Sequence, residues 1–187
     1  MNSSLLNLKL LSDKEVFVSI HETKRQFKEL FIEISNGLEN RKLKDIYPNN
    51  KGVKVSMGNE LQKCPYQVLD IFRDFDKKRG HNIRVLNWWG HGLYLFVFFG
   101  KELAKETIEA QDYFRKGGFS LAIGSSPWDY AKMINLPFKQ DEVNIGDHLL
   151  KFGYLQWYKE IELESDLDKL KDSISAELDQ IFHFHRI

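Results

Sequence analysis

The stretch from Asn82 to Gly100, Asn-Ile-Arg-Val-Leu-Asn-Trp-Trp-Gly-His-Gly-Leu-Tyr-Leu-Phe-Val-Phe-Phe-Gly, contains two runs rich in β-branched and aromatic residues. A short loop with two glycines, Gly90-His91-Gly92, separates the runs and predicts a β-hairpin over about residues 82–99. In the second run both alternating sets are apolar: Leu93, Leu95, Val97 and Phe99 on one face, and Tyr94, Phe96 and Phe98 on the other. A strand that is apolar on both faces is covered on both faces. The hairpin is therefore expected at the centre of the domain.

The segments on either side of this hairpin show helical and strand patterns in turn. Ser12 and Glu15 have the spacing of a capping box, which predicts a helix that begins there and ends at Asn36-Gly37. Further along, the patterns predict a short helix over 38–47, one helix over 101–116 and a final helix capped by Ser165. Small strands are predicted at 53–55 and 119–123, and longer strands at 65–72 and 154–163. The segment 125–147 is predicted to be a loop. This order predicts a single α+β domain spanning residues 1–187, with N-terminal, middle and C-terminal helices covering a mainly antiparallel sheet of about four to six strands.

Composition restricts the classes of partner. Lys+Arg and Asp+Glu both number 27, so no overall field attracts nucleic acid, and none is expected as a partner. No apolar run approaches the roughly 20 residues that span a bilayer, so no membrane is expected either. The single cysteine, Cys64, excludes an internal disulfide framework and suits a reducing cytoplasm. Because the N-terminus lacks a basic start and a small-residue cleavage site, a cytoplasmic location is predicted.

Charged residues are concentrated where the strand beginning at Pro65 ends. Asp70, Arg73, Asp74 and Asp76 lie within seven positions of one another. Paired carboxylates of this kind can hold a hard cation or act as acid and base. A solvated strand end with local Asp–Arg pairs explains the same cluster. The cluster therefore predicts no catalytic residue by itself.

The two histidines of the hairpin do not predict a metal site. His81 lies at the start of the first strand and His91 lies in the turn. A strand rises about 3.3 Å per residue, so these positions are expected at opposite ends of the strand. No metal and no cofactor are predicted.

Arg84 is the unusual residue of the hairpin, because it shares a face with Leu86 and Trp88 in a strand that is expected to be buried. A half-buried guanidinium needs a carboxylate or an anionic ligand. One alternative is an ion pair with Asp70 or Asp74 on a neighbouring strand. The other is an anion-binding cleft in which Trp88 forms a wall. The predicted ligand-binding residues are Asp70, Arg73, Arg84 and Trp88.

The segment Gly58-Asn-Glu-Leu-Gln-Lys-Cys-Pro-Tyr66, followed by Leu69-Asp70, Arg73, Phe75, Arg84 and Trp88-Trp89-Gly90, resembles an uncharacterised family of small bacterial proteins. That family has a Gly-Leu-Pro-Tyr-like segment, a Leu-Asp-Tyr-Pro-Arg-like segment, and an arginine followed by Phe-Trp-Trp-Gly. This chain departs from it at Cys64, where the family has leucine, and at Ile71-Phe72, where it has Tyr-Pro. The resemblance covers about the middle third of the chain. It implies no activity, and it suggests that Asp70, Arg73, Arg84 and the two tryptophans form one unit.

Two hypotheses of function follow from these patterns. The first is a cytoplasmic, non-catalytic binding domain with an aromatic and arginine cleft, whose partner is a small anionic ligand or a protein. The alternative is a hydrolase or transferase that uses Asp70 or Asp74 with Arg84. An enzyme should bring at least two of Asp70, Asp74, His81, Arg84 and His91 into one concave pocket. The sequence predicts neither a substrate nor an oligomeric state.

Overall fold

A computed structural model describes residues 5–135 and 144–184. The helices are α1 (Leu8–Leu11), α2 (Lys14–Gly37), α3 (Asn40–Ile46), α4 (Lys101–Glu106), α5 (Ile108–Lys116), α6 (Tyr130–Asn135), α7 (Ile145–Phe152) and α8 (Leu167–Phe184). The strands are β1 (Lys54–Leu61), β2 (Cys64–Ile71), β3 (His81–Trp88), β4 (Gly92–Gly100), β5 (Ser120–Leu121) and β6 (Tyr154–Ile161). Among the described residues, no helix is long and apolar enough to cross a lipid bilayer.

The six strands form one antiparallel sheet in the order β1-β2-β3-β4-β6-β5. The predicted hairpin is the β3–β4 pair, which occupies the two central positions. Its register pairs Val85 with Leu95 and Arg84 with Phe96. The α+β class, the antiparallel sheet and the central hairpin are therefore confirmed.

Each face of the sheet carries its own apolar core. The larger core packs strand residues such as Val85, Leu95 and Trp157 against α2, α5 and α8. The smaller core, on the other face, joins Leu86 and Phe96 to side chains of α6. Every residue of β4 after Gly92 is buried, which is why both alternating sets of that strand are apolar.

Helix boundaries differ from the sequence prediction at several points. The helix predicted over 101–116 is divided into α4 and α5 at Thr107, whose hydroxyl bonds back to the carbonyl of Leu103. The region predicted as a loop over 125–147 contains α6 and the start of α7, and residues 136–143 lie outside the described part.

The predicted helix caps are also displaced. Asp13 rather than Ser12 caps α2, because Ser12 bonds back to the carbonyl of Leu8 at the end of α1. At α8, Asp166 rather than Ser165 accepts the first free backbone N–H groups, those of Asp168 and Lys169.

Candidate functional site

Arg84 forms an ion pair with Asp70, the residue directly opposite it on β2. Arg84 Nε lies 2.7 Å from Asp70 Oδ1 and Arg84 Nη2 lies 2.8 Å from Asp70 Oδ2, so the contact is bidentate. The two side chains are only 15% and 9% exposed. Arg84 Nη1 also donates to the hydroxyl of Tyr130 at the start of α6. Of the two alternatives that the sequence left open, the structure contains the ion pair.

The electrostatics of this group agree with a charged arginine and a neutral tyrosine. Burial opposes the charge of Arg84, but the interactions with Asp70 and Tyr130 together outweigh burial and raise the pKa of Arg84 above its ordinary value. Burial also raises the pKa of Tyr130, against the opposing effect of Arg84. Tyr130 therefore stays protonated at neutral pH, while Asp70 takes two of the guanidinium's hydrogen bonds.

Asn82 connects this ion pair to the end of β2. Its side-chain amide donates to Asp70 Oδ1 at 3.1 Å and accepts from the backbone N–H of Arg73 at 3.1 Å. Phe72 and Arg73 have φ of 72° and 58°, in the left-handed region that non-glycine residues rarely adopt. Arg73 thus joins the network through its backbone, while its guanidinium donates to the carbonyl of Lys51 at 3.3 Å. Asn82 was not among the predicted site residues, although a polar residue in a strand expected to be buried is a usable signal.

The aromatic rings beside Arg84 come from loops rather than from the hairpin. The guanidinium carbon lies 4.8 Å from the ring centroid of Trp128 and 5.4 Å from that of Phe75. The two rings are themselves 4.6 Å apart, and Trp128 is 44% exposed. This contact is a cation–π arrangement over a guanidinium that is already paired.

Trp88, the predicted wall, lies further along β3. It pairs with Tyr66 four residues from the Arg84–Asp70 pair, a separation of about 13 Å along the strand. It is 1% exposed, donates to the carbonyl of Leu61 and stacks on His91 at 3.7 Å between centroids. The structure therefore brings Asp70, Arg84 and the backbone of Arg73 together, and places Trp88 elsewhere.

Asp74 takes part in a different set of contacts. Its carboxylate accepts from the Tyr47 hydroxyl at 2.8 Å and from Lys51 Nζ at 2.7 Å. Burial works against ionisation of this carboxyl, but the bonds from Lys51 and Tyr47 prevail and lower its pKa. Asp74 therefore anchors the loop after β2 and is not part of the ion pair between Arg84 and Asp70.

The two hairpin histidines remain apart. His81 is fully buried, stacks on Phe72 and Phe99, and has Nδ1 2.7 Å from the carbonyl oxygen of Phe98. His91 is exposed in the turn. Within the described part of the chain, no cluster of three or more His, Cys, Asp or Glu side chains could hold a metal ion.

A cleft opens at the turn of the β3–β4 hairpin, and we call it the hairpin cleft. It has a volume of about 310 Å³ and is bounded by Thr23 and Phe27 of α2, by Leu163 after β6, and by residues 87–92 of the hairpin. Its surface is almost wholly apolar. Both tryptophans of the hairpin, Trp88 and Trp89, contribute to this wall.

One buried glutamine organises the polar atoms behind the hairpin cleft. Gln67 is fully buried, and its Oε1 accepts from Asn87 Nδ2 at 2.7 Å and from Trp89 Nε1 at 3.0 Å. These bonds use the Trp89 indole N–H and one N–H of the Asn87 amide, while Gln67 Nε2 has no hydrogen-bond partner in the described structure. The side-chain oxygen of Asn87 accepts no hydrogen bond from a described residue. Asn87 is among the residues that line the cleft, so the cleft combines aromatic walls with an amide whose oxygen has no partner among the described residues.

Comparison with known proteins adds no relative: no protein-family model, no curated protein and no solved structure matches this chain. Function is therefore inferred from the geometry of the described residues.

Proposed function

We propose that the protein is a non-catalytic binding domain whose ligand occupies the hairpin cleft. The observation that carries this proposal is an apolar cleft lined in part by Asn87, whose Oδ1 has no hydrogen-bond partner among the described residues. Ligand sites are mostly apolar and use a small number of polar groups to fix orientation. The cytoplasmic location and the resemblance to a bacterial family remain part of the proposal, supported by the single Cys64 and by the quoted motifs.

The walls favour a flat aromatic group that carries one N–H or O–H donor. Phe27 and Trp89 offer ring surfaces against which another ring can pack. The donor of such a group would bond to Asn87 Oδ1, which would otherwise be desolvated without a partner when the cleft is filled. The volume of about 310 Å³ is at the small end for ligand sites and fits one or two fused rings.

The anionic ligand considered from the sequence has less support. Asp70 holds Arg84 in a bidentate pair, so an anion approaching the guanidinium would also meet a carboxylate. The hydrolase or transferase alternative is weaker for a related reason, since Asp70 and Asp74 belong to separate hydrogen-bonded groups. Of the five groups from which an enzyme should bring at least two into one pocket, only His91 lines the hairpin cleft, whereas Asp70, Asp74, His81 and Arg84 lie outside it.

The first experiment is a titration of the ¹⁵N-labelled protein with indole, followed by NMR. We expect saturable shifts of the Trp89 indole N–H and of the Asn87 side-chain amide. Naphthalene has a similar ring area and no donor, so it should bind about five- to tenfold more weakly, the difference that one hydrogen bond makes.

Filling the cleft provides the matched test. Leu163 is 53% exposed and lines the cleft, so Leu163→Trp should occupy it and abolish the indole shifts without disturbing the core. Leu167→Trp is the control, since Leu167 is 38% exposed and lies outside the cleft. Indole binding that survives in Leu163→Trp, or the absence of saturable shifts in the unmodified protein, would overturn the proposal.

A further inference from the structure

The strand β1 forms one edge of the sheet. Among the described residues it pairs with β2 alone, so the outer row of its backbone N–H and C=O groups has no strand partner there. Edges of this kind are usually shortened, bulged or covered, because an open edge pairs readily with another strand. In β1 the irregularity falls between Gly58 and Leu61, and Lys54–Gly58 keeps a regular register. The edge is thus long enough to accept a strand.

An exposed apolar side chain lies on the same edge, and another lies on the neighbouring helix α2. Met57, in the middle of β1, is 47% exposed. Lys24 of α2 donates to the side chain of Asn59, which places that side of α2 next to β1. Phe17 precedes Lys24 by seven residues, or about two helical turns, and therefore lies on the same side of the helix. Phe17 is also 47% exposed, so this side of α2 carries apolar surface about two helical turns from the Lys24–Asn59 contact.

The charges of β1 are complementary to those of a second copy of the same strand. Counted residue by residue along β1, an antiparallel pairing with its two-fold axis at Met57 sets Lys54 of one copy against Glu60 of the other, and the reverse. Glu60 lies in the irregular stretch between Gly58 and Leu61, so only the Lys54 side of each pair belongs to the regular part of the strand. Lys54 and Glu60 are both exposed, and neither forms an ion pair with any residue that the structure describes. Opposite charges placed across a strand pair stabilise it, and like charges destabilise it.

We propose that two copies of the chain associate through β1, which continues the sheet from one copy into the other. The two-fold axis places Met57 against its own counterpart and pairs Lys54 with Glu60 twice. A second copy pairs the open backbone groups of β1, covers the exposed side chain of Met57 and places opposite charges beside Lys54 and Glu60. One isologous surface provides all three contacts. The hairpin cleft is formed by other residues, so this proposal stands independently of ligand binding.

Charge exchange tests the pairing, with mass in solution measured by light scattering after size-exclusion chromatography and association followed by sedimentation velocity. We expect a concentration-dependent dimer. Lys54→Glu and Glu60→Lys should each weaken it by at least about tenfold, because like charges then face each other at both ends. The double variant carrying both changes should recover most of the association, which a loss of surface charge alone would not produce.

The control is Lys105→Glu, an exposed position on α4 that is not part of β1. It changes the net charge by the same amount as Lys54→Glu and should leave the dimer unchanged. Circular dichroism would show that every variant is folded. A monomer over the whole concentration range, or a dimer unaffected by both single charge changes, would overturn the proposal. An extended segment of another protein would then be the favoured partner of the β1 edge.

Discussion

At the scale of single residues, the Asp70–Arg84 pair is the contact with the clearest energetic consequence. Replacing Arg84 with Met leaves the 9%-exposed carboxylate of Asp70 with Asn82 as its remaining side-chain donor. A buried charge that loses its partner typically costs about 3–5 kcal/mol. We therefore expect Arg84→Met to lower the free energy of unfolding by about that amount, measured by urea denaturation.

Two further variants identify the cause of that loss. Arg73→Met should cost less than about 1 kcal/mol, because the guanidinium of Arg73 makes one long bond to a carbonyl at the surface. The double change Asp70→Leu with Arg84→Met should regain most of the stability, since it removes both buried charges. If Arg84→Met unfolds at the same urea concentration as the unmodified protein, the pair does not stabilise the fold and the ligand-site alternative gains support.

At the scale of elements, the loop after β2 is fastened to the start of α4. The N–H groups of Gly100, Lys101 and Glu102 donate to the carbonyls of Gly80, Lys77 and Lys78, each at 2.8 Å. A Cβ added at Gly100 would lie 2.7 Å from the backbone oxygen of Asp76 and 2.8 Å from the nitrogen of Gly80. Only glycine permits this approach.

Gly100→Ala should therefore push the loop away from α4 and lower stability by about 1–3 kcal/mol, measured by thermal or urea unfolding. Gly37→Ala is the matched control, because a Cβ at the last residue of α2 meets nothing within 4 Å. That change should be neutral or stabilising by up to about 1 kcal/mol, as helix propensity favours alanine. Equal losses in the two variants would contradict the close approach at Gly100.

The elements that the sequence predicted well are those whose pattern is local. The β3–β4 hairpin follows from two apolar faces and a glycine turn. An ion pair of Arg84 with Asp70 or Asp74 was one of two alternatives because a buried guanidinium requires a partner, and the structure contains the pair with Asp70. The rest depends on distant contacts. Trp128 and Tyr130 reach Arg84 from a segment more than 40 positions away, and no periodicity within the hairpin indicates them. Thr107 divides a helix whose residues have an unbroken helical pattern.

At the scale of the whole molecule, stability should fall in mild acid because of one buried histidine. His148 of α7 is 4% exposed, packs against Phe152 and Tyr154, and has an Nε2 without a hydrogen-bond partner in the described structure. Burial, with a smaller effect from Lys151, lowers its pKa from 6.5 to about 4. The unfolded chain therefore binds a proton more readily than the folded one between these values, and protonation favours unfolding.

The contribution of His148 to the free energy of unfolding should accordingly be constant above about pH 6.5 and decline as the pH falls toward 4, by up to about 3 kcal/mol. The lowered pKa of Asp74 also makes stability fall as the pH falls, in a more acidic range, because that carboxylate stabilises the fold until it is protonated.

Urea denaturation at a series of pH values separates the contributions of His148 and Asp74. His148→Phe should remove the decline between pH 6.5 and 4.5 and keep the loss at lower pH. His21→Asn, at an exposed position of α2, should retain the full decline. If His148→Phe follows the pH dependence of the unmodified protein, protonation of His148 is not what opens the fold in mild acid, and another group must bind the proton.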